Sequence, residues 1–202
     1  MRPLHVRWIL LLVVIAANVA AWRLWRSRRA HEFDPAFQEA ARRYAISPAL
    51  IKAVAWQESR FDPGARGRAG EIGLMQLMED AALEWATASR ATGFVHEHAF
   101  DPVTNTLAGA YYLSKLLRRY TNTDDPLPYA LADYNAGRGN VLRWMQGPAA
   151  TNSTEFRRAI TFPATRAYID AVTGRYHEYL GTPEHRGLQQ FRKVGGRGGM
   201  EN

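Results

Sequence analysis

The stretch AWQESRFDPGARGRAGEIGLMQ, Ala55 to Gln76, decides how the chain is read. It opens as the last turn of an apolar helix and closes as the start of another, with Gly64, Gly67, Gly70 and Gly73 three apart between them. Upstream, Leu50, Ile51, Val54, Ala55 and Glu58 fall on one stripe at helical spacing. A carboxyl therefore shares the buried face of a short helix, in its last turn. Desolvation disfavours the charged form, and the negative end of the helix dipole pushes the same way. Both raise the pKa, so Glu58 is a candidate general acid near neutral pH. Residues 60–73 add Pro63 and three arginines, Arg60, Arg66 and Arg68, to the four glycines. Gly lets backbone approach a ligand closely, so this loop is a candidate wall for a groove beside the acid. It has no Gly-Lys-Ser/Thr and no strand ahead of it, which argues against a phosphate cradle.

Outward from that stretch the chain reads as all-α. Pro follows a capping residue at Asp34-Pro35, Ser47-Pro48, Asp101-Pro102 and Asp125-Pro126, the pattern of an N-cap and a first helical position. Helices are expected over 35–45, 48–59, 75–89, 102–120, 126–134, 138–146 and 163–180. No segment alternates with period two for long enough to predict a strand.

The 202 residues suit one domain with appendages. There is no Cys, which excludes disulfides and thiolate metal sites. The formal charge of +7 is confined to the ends. Residues 1–33 hold six Arg and one Glu, and residues 181–202 hold four Lys/Arg and two Glu. That leaves 34–180 with 16 basic and 16 acidic residues. A nucleic-acid-binding core is expected to carry a basic face of its own, so nucleic acid is not an expected partner. Arg2 and Arg7 precede an apolar run from Trp8 to Trp22. The run fits an export signal, with small residues for cleavage after Ala21, or a short inner-membrane anchor framed by Trp8, Trp22 and Trp25. The Arg23, Arg26, Arg28 and Arg29 cluster conflicts with export by the positive-inside rule. From Gly181 on, Gly, Arg and Gln dominate, and disorder is expected.

Four blocks in order carry a resemblance: Glu58-Ser59, Gly73-Leu74-Met75-Gln76, Ala132-Asp133-Tyr134-Asn135-Ala136-Gly137 and Thr165-Arg166-Ala167-Tyr168-Ile169. Together they resemble the soluble, lysozyme-like lytic transglycosylases over residues 34–180. The resemblance implies a goose-type-like lysozyme fold with a substrate groove, preceded by the N-terminal hydrophobic helix and followed by the tail over 181–202. It implies cleavage of the β-1,4 bond between N-acetylmuramic acid and N-acetylglucosamine without water, leaving a 1,6-anhydro end. Glu58 would serve as acid and then base, and the substrate itself would supply what a second carboxylate supplies in ordinary glycosidases. Tyr168 would approach Glu58, and Ser59 would brace it. Met75 and Gln76 would face a sugar subsite at the opening of a helix. Tyr134, partly core, and Asn135 would line the groove.

No metal or other cofactor is expected. His96 and His98 are two apart and do not share a helix face. The expected partners are peptidoglycan strands, the membrane through the N-terminal segment, and a cell-wall or secretion assembly. The expected state is a periplasmic monomer.

The chain departs from the family pattern at Gly67, where many members carry Ser, at Ala164, often Glu, and at Asp133, usually Ala. Two other readings follow. One is a peptidoglycan-binding or secretion-associated component with little turnover. The other is a hydrolytic muramidase, in which Glu71 holds a water as a second carboxylate.

Overall fold

The computed structural model describes Trp8, residues 12–19 and residues 31–181. The chain divides into two units, Met1–Pro35 and Ala36–Asn202. In the first, residues 12–19 are helical, with Leu12, Val13, Val14, Ile15 and Val19 exposed. No helix among the described residues is long and apolar enough to cross a membrane. The rest of the expected anchor, the cleavage position after Ala21 and the tail over 182–202 lie outside the described residues.

The regular elements of the second unit are all helices, with no strand among the described residues beyond isolated bridges at Arg66–Ile72 and Ile72–Leu77. Its elements are α1 (Asp34–Tyr44), which straddles the unit boundary, α2 (Pro48–Ser59), α3 (Glu79–Ser89), α4 (Pro102–Arg119), α5 (Pro126–Ala136), α6 (Arg138–Trp144), α7 (Ser153–Ala159) and α8 (Pro163–Leu180). Short 3-10 turns span His96–Phe100 and Gly147–Ala150.

Helix α2 is the centre of the fold. Pro48 occupies its first turn, where a missing N–H costs nothing. Every residue from Ala49 to Ala55 is buried, Lys52 included. Burying Ile51 or Val54 contributes roughly 2 kcal/mol apiece, so packing outweighs intrinsic propensity in fixing this helix. It ends at Arg60, whose φ of 56° is left-handed and whose N–H donates to the Trp56 carbonyl. Helix α8 packs along α2 and also meets α5. Helix α4 packs against α3 and α5. Thus α2, α5 and α8 share one core, and their ends approach one another.

The expected Pro-marked starts have different physical bases. Asp101 accepts from the Thr104 N–H at 2.8 Å and Asp125 from the Leu127 N–H at 3.0 Å, as N-caps do. Ser47 makes no side-chain cap bond, and Asp34 lies inside its helix.

The largest correction concerns 75–89. The helix begins at Glu79, and Gly73-Leu74-Met75-Gln76 forms a turn between bridging residues Ile72 and Leu77. The physical reason is Asn105, fully buried in α4. Its Oδ1 accepts from the Met75 N–H at 2.7 Å, and its Nδ2 donates to the Ile72 and Ala99 carbonyls at 2.9 and 2.7 Å. Those bonds fill three of the amide's four hydrogen-bonding places and anchor the turn, while Ile72 and Leu77 bond each other and the Met75 carbonyl accepts from Tyr134, so that carbonyl is not given to a helix starting at Met75. Gly73 has φ +76°, and a Cβ there would stand 2.2 Å from Asn105 Nδ2, so only Gly fits. Helix α7 was not expected from the pattern. At seven residues it is too short to show helical periodicity, though Asn152 caps it through the Glu155 N–H.

Asn105→Ala removes a buried partner from three backbone groups at once. An equilibrium urea melt should register a loss of about 3 kcal/mol. A loss below about 1 kcal/mol would show that the turn holds itself.

Candidate active site

The C-terminal end of α2, the loop after it, the first half of α3, the middle of α4 and the end of α5 line a groove of about 620 Å³. Glu58, Gly67, Glu71, Gln76, Tyr134 and Asn135 are among its walls.

Glu58 is only partly exposed. Its carboxyl pKa is raised from 4.5 to about 7, chiefly by burial. A hydrogen bond from Tyr168 opposes that shift, and the charge of Glu71 adds to it. The Tyr168 hydroxyl donates to Glu58 Oε1 at 2.5 Å, across 110 residues of sequence. Tyr168 is buried in α8 and its own pKa is pushed well above 10, by burial and then by the neighbouring carboxyl. It therefore acts as a donor and not as a base. With Oε1 occupied by that donor, the second carboxyl oxygen is the one left to carry a proton.

Other residues singled out in the sequence hold different positions. Ser59 does not bond Glu58. Its hydroxyl meets the Ala55 and Leu74 carbonyls at 3.1 and 2.8 Å and receives the Asp62 N–H at 3.2 Å. It fastens the Gly-Leu-Met-Gln turn to the end of α2. Met75 is fully buried and absent from the groove wall, a correction to the expected sugar contact. The space it fills exists because α4 carries Gly109, where a Cβ would meet Met75 Sδ at 2.4 Å. The Met75 carbonyl accepts from the Tyr134 hydroxyl at 2.8 Å. Tyr134 thus ties α5 to the turn, with its ring 5.7 Å from that of Tyr112.

Gln76 lines the groove with φ 45°, left-handed for a residue with a side chain. Non-Gly residues seldom adopt that conformation unless their surroundings fix it. Here its amide nitrogen donates to the Ala65 and Gly73 carbonyls at 3.2 and 2.9 Å. Asn135 is exposed, and its Oδ1 accepts from Thr165 at 2.9 Å.

The groove also has walls that sequence reasoning missed. Lys115 pairs with Glu84 at 2.5 Å beside Tyr112. Asp133 is buried, and its Oδ2 accepts from Arg119 and from Tyr120, both at 2.6 Å. The i, i+3 placement of Tyr112 and Lys115 on one helix face was available as a signal, and so was an Asn in the interior of α4. The His96-Glu97-His98 triplet gathers no metal-like cluster among the described residues. His96 Nε2 lies 2.9 Å from the Leu77 carbonyl, and His98 packs edge-on to Phe94.

A partly desolvated acid beside an open groove, with one oxygen held by a buried phenol, can protonate a leaving oxygen and afterwards accept a proton. The chain is similar to several known proteins. The membrane-bound lytic murein transglycosylase F of Desulfosudis oleivorans is 40% identical over 116 residues, covering 56% of this chain and 24% of that protein. The membrane-bound lytic murein transglycosylase C of Pectobacterium atrosepticum is 33% identical over 152 residues, covering 69% of this chain and 39% of that one. An inactive mutant of the lytic transglycosylase Slt from Pseudomonas aeruginosa superposes with a TM-score of 0.67 at 26% identity, covering 75% of this chain and 24% of that one. The 70 kDa soluble lytic transglycosylase of Escherichia coli gives 0.64 at 26%, covering 76% and 25%. This chain thus spans about a quarter to two-fifths of the length of these relatives. The model of the transglycosylase SLT domain matches residues 35–156, and the chain belongs to that family.

Proposed function

We propose that residues 34–180 form a peptidoglycan lytic transglycosylase domain with Glu58 as its single acid and base. The observation that carries the reading is a carboxyl with a pKa of about 7, on a groove wall, bonded to a buried tyrosine. Near neutral pH about half of such groups are protonated, the condition in which one residue can both donate and accept.

In the proposed reaction Glu58 gives its proton to the glycosidic oxygen. The C1–O bond breaks, and its electron pair leaves on the 4-oxygen of N-acetylglucosamine. The muramyl 6-hydroxyl then attacks C1, and its proton returns to Glu58. Atoms balance without water, and ring closure within one sugar is effectively intramolecular. Tyr168 stabilises the carboxylate between the two steps. Ser59, Met75 and Tyr134 hold the turn that carries Gln76, while Gln76 and Asn135 contact the strand. Residues 1–33 are proposed as the export signal or inner-membrane anchor that places the domain in the periplasm. Two of the relatives are named membrane-bound.

Digestion of purified sacculi, with the muropeptides read by mass spectrometry, tests the reaction. Anhydromuramyl ends are expected. Reducing ends alone would indicate a hydrolase, and binding without release a structural component. Glu58→Gln should abolish release.

Stability should respond to the same carboxyl. Its pKa is higher folded than unfolded, so the folded state binds more protons, and stability falls as pH rises from about 4.5 to about 7. Gln keeps the Tyr168 bond and does not titrate. Glu58→Gln should therefore raise the melting temperature by several degrees above about pH 7, on the order of 2 kcal/mol, and by nothing below about pH 4. Equal melting curves at both pH values would mean that the carboxyl is not desolvated.

Activity should fall as pH rises through about 7, where Glu58 loses its proton. Tyr168→Phe removes a bond that favours the charged form. The alkaline limb of its kcat/KM profile should move to higher pH. A limb moving to lower pH would contradict the donor role.

A further inference from the structure

Helix α2 ends abruptly behind its carboxyl. Arg60 and Phe61 are successive residues with φ of 56° and 63°, left-handed although each carries a side chain. Two such residues in a row persist only where surrounding contacts fix them. Phe61 is fixed by burial, with its ring 6.0 Å from that of Phe37. Arg60 is fixed by Trp56. Its Nη1 donates to the Trp56 carbonyl at 3.0 Å, and its guanidinium carbon stands 3.3 Å from the centroid of the Trp56 ring.

A second guanidinium reaches the same indole. Arg175 of α8 places its own guanidinium carbon 3.1 Å from the Trp56 ring centroid. Two groups that close to one ring system cannot share a face, so Trp56 is held between them. Both are planar cations, the kind that stacks on an indole. Arg175 follows Tyr168 by seven residues, two turns along the same face of α8. Tyr179 continues the seam, with the Lys52 ammonium 5.2 Å from its ring centroid. Contacts between the helices thus run from Tyr168 on Glu58, through Arg175 on Trp56, to Tyr179 on Lys52. Ile169 and Val172 are buried in the same helix. Their burial holds α8 down without giving it a direction. The stack is directional, because a ring face admits a guanidinium plane in one place.

We propose that Arg60, Trp56 and Arg175 form a positioning stack that sets the Tyr168 hydroxyl on the Glu58 carboxyl by locking α8 against the last turn of α2. The inference rests on Glu58 being the acid of the groove. Trp56 stands two residues before Glu58 and fixes the turn that carries the carboxyl. Arg175 fixes the helix that carries the phenol. The stack itself touches neither substrate nor reacting oxygens. The bond it guards tolerates little slip, since a displacement of about 1 Å would carry a 2.5 Å contact to the limit of a hydrogen bond. Glu58 is also faced by Tyr134 from α5 and by Glu71 from the loop. Neither rides on α8, so loss of the stack reaches Glu58 through Tyr168.

The test is the titration of Glu58, followed by carboxyl-carbon NMR in the full chain, with Arg175→Met and Tyr168→Phe made singly and together. Arg175 is partly exposed, and Met keeps the apolar part of its stem, so the fold survives the change. Losing the Tyr168 bond removes support for the charged form. Arg175→Met should therefore raise the midpoint by about half a pH unit, a roughly threefold change in proton affinity. In the Tyr168→Phe protein the same substitution should change nothing. Trp56→Leu should reproduce the shift, while Trp56→Phe, which keeps a ring for both guanidinium groups, should remove most of it. The alkaline limb of kcat/KM should follow the same pattern. An unmoved midpoint, even with a lower melting temperature, would reduce the stack to packing and overturn the proposal. An equal shift with and without the Tyr168 hydroxyl would mean that Arg175 acts through its own charge, and overturns it as well. The titration needs no substrate, so a wild type that yields no anhydro products would end the transglycosylase reading and leave the stack to be judged by the midpoints.

Discussion

Everything at the groove depends on keeping a carboxyl dry without orphaning it. Glu58 sits at the end of α2, a helix buried along most of its length, so its position is dictated by core packing and not by the loop beside it. Burial alone would push the carboxyl toward permanent neutrality. The Tyr168 hydroxyl limits that shift by stabilising the charged form, and the outcome near 7 is the balance of the two. Because Tyr168 arrives on α8, which packs along α2, the proton affinity of the site is set by a helix–helix contact. A change anywhere in that contact that tilts α8 would alter the acid before it altered the groove.

The second wall obeys a different rule. Gly-Leu-Met-Gln would be expected to begin a helix, and a helix would have used its carbonyls internally. Instead Asn105 takes the Met75 N–H, Ser59 takes the Leu74 carbonyl and Tyr134 takes the Met75 carbonyl. Three side chains from α4, α2 and α5 therefore hold the turn, and each comes from an element anchored in the core. The left-handed Gln76 is tolerated because those anchors over-determine it. A rigid irregular wall on a helical scaffold is what a groove needs if it is to present fixed acceptors to a polymer.

This division explains what was legible in the sequence. Helix α2 was readable to its last residue, because apolar periodicity, Pro48 and the glycines beyond it all agree. Helix α8 was readable for the same reason. The stripe that buries Leu50, Ile51 and Val54 also located Glu58. The turn was not readable, because its conformation is imposed by Asn105, 30 residues away from Met75. The local pattern of the turn carries no trace of that bond, and the one hint, an Asn in the interior of α4, lies far along the chain. Met75 was expected at the groove because the family resemblance implies it. Only the packing of α4, through Gly109, reveals that its side chain turns inward. Ser59 was placed beside Glu58 correctly along the chain, yet its hydroxyl serves the turn.

The departures from the family pattern are also physically coupled. Asp133, where Ala is usual, puts a carboxylate at 2% exposure in the interior between α4 and α5. Alone it would cost several kcal/mol. It is held by Arg119 and Tyr120, adjacent residues at the end of α4 that reach the same oxygen. Replacing it with Ala in this chain would strand a partly buried guanidinium and a buried phenol, so it is not a neutral reversion here. Gly67 is coupled to Glu71 in the same sense. A side chain restored at 67 would collide with a carboxylate that has taken its space. In both places the unit that varies is a set of contacting side chains. At position 67 the room of a side chain is taken by the Glu71 carboxylate.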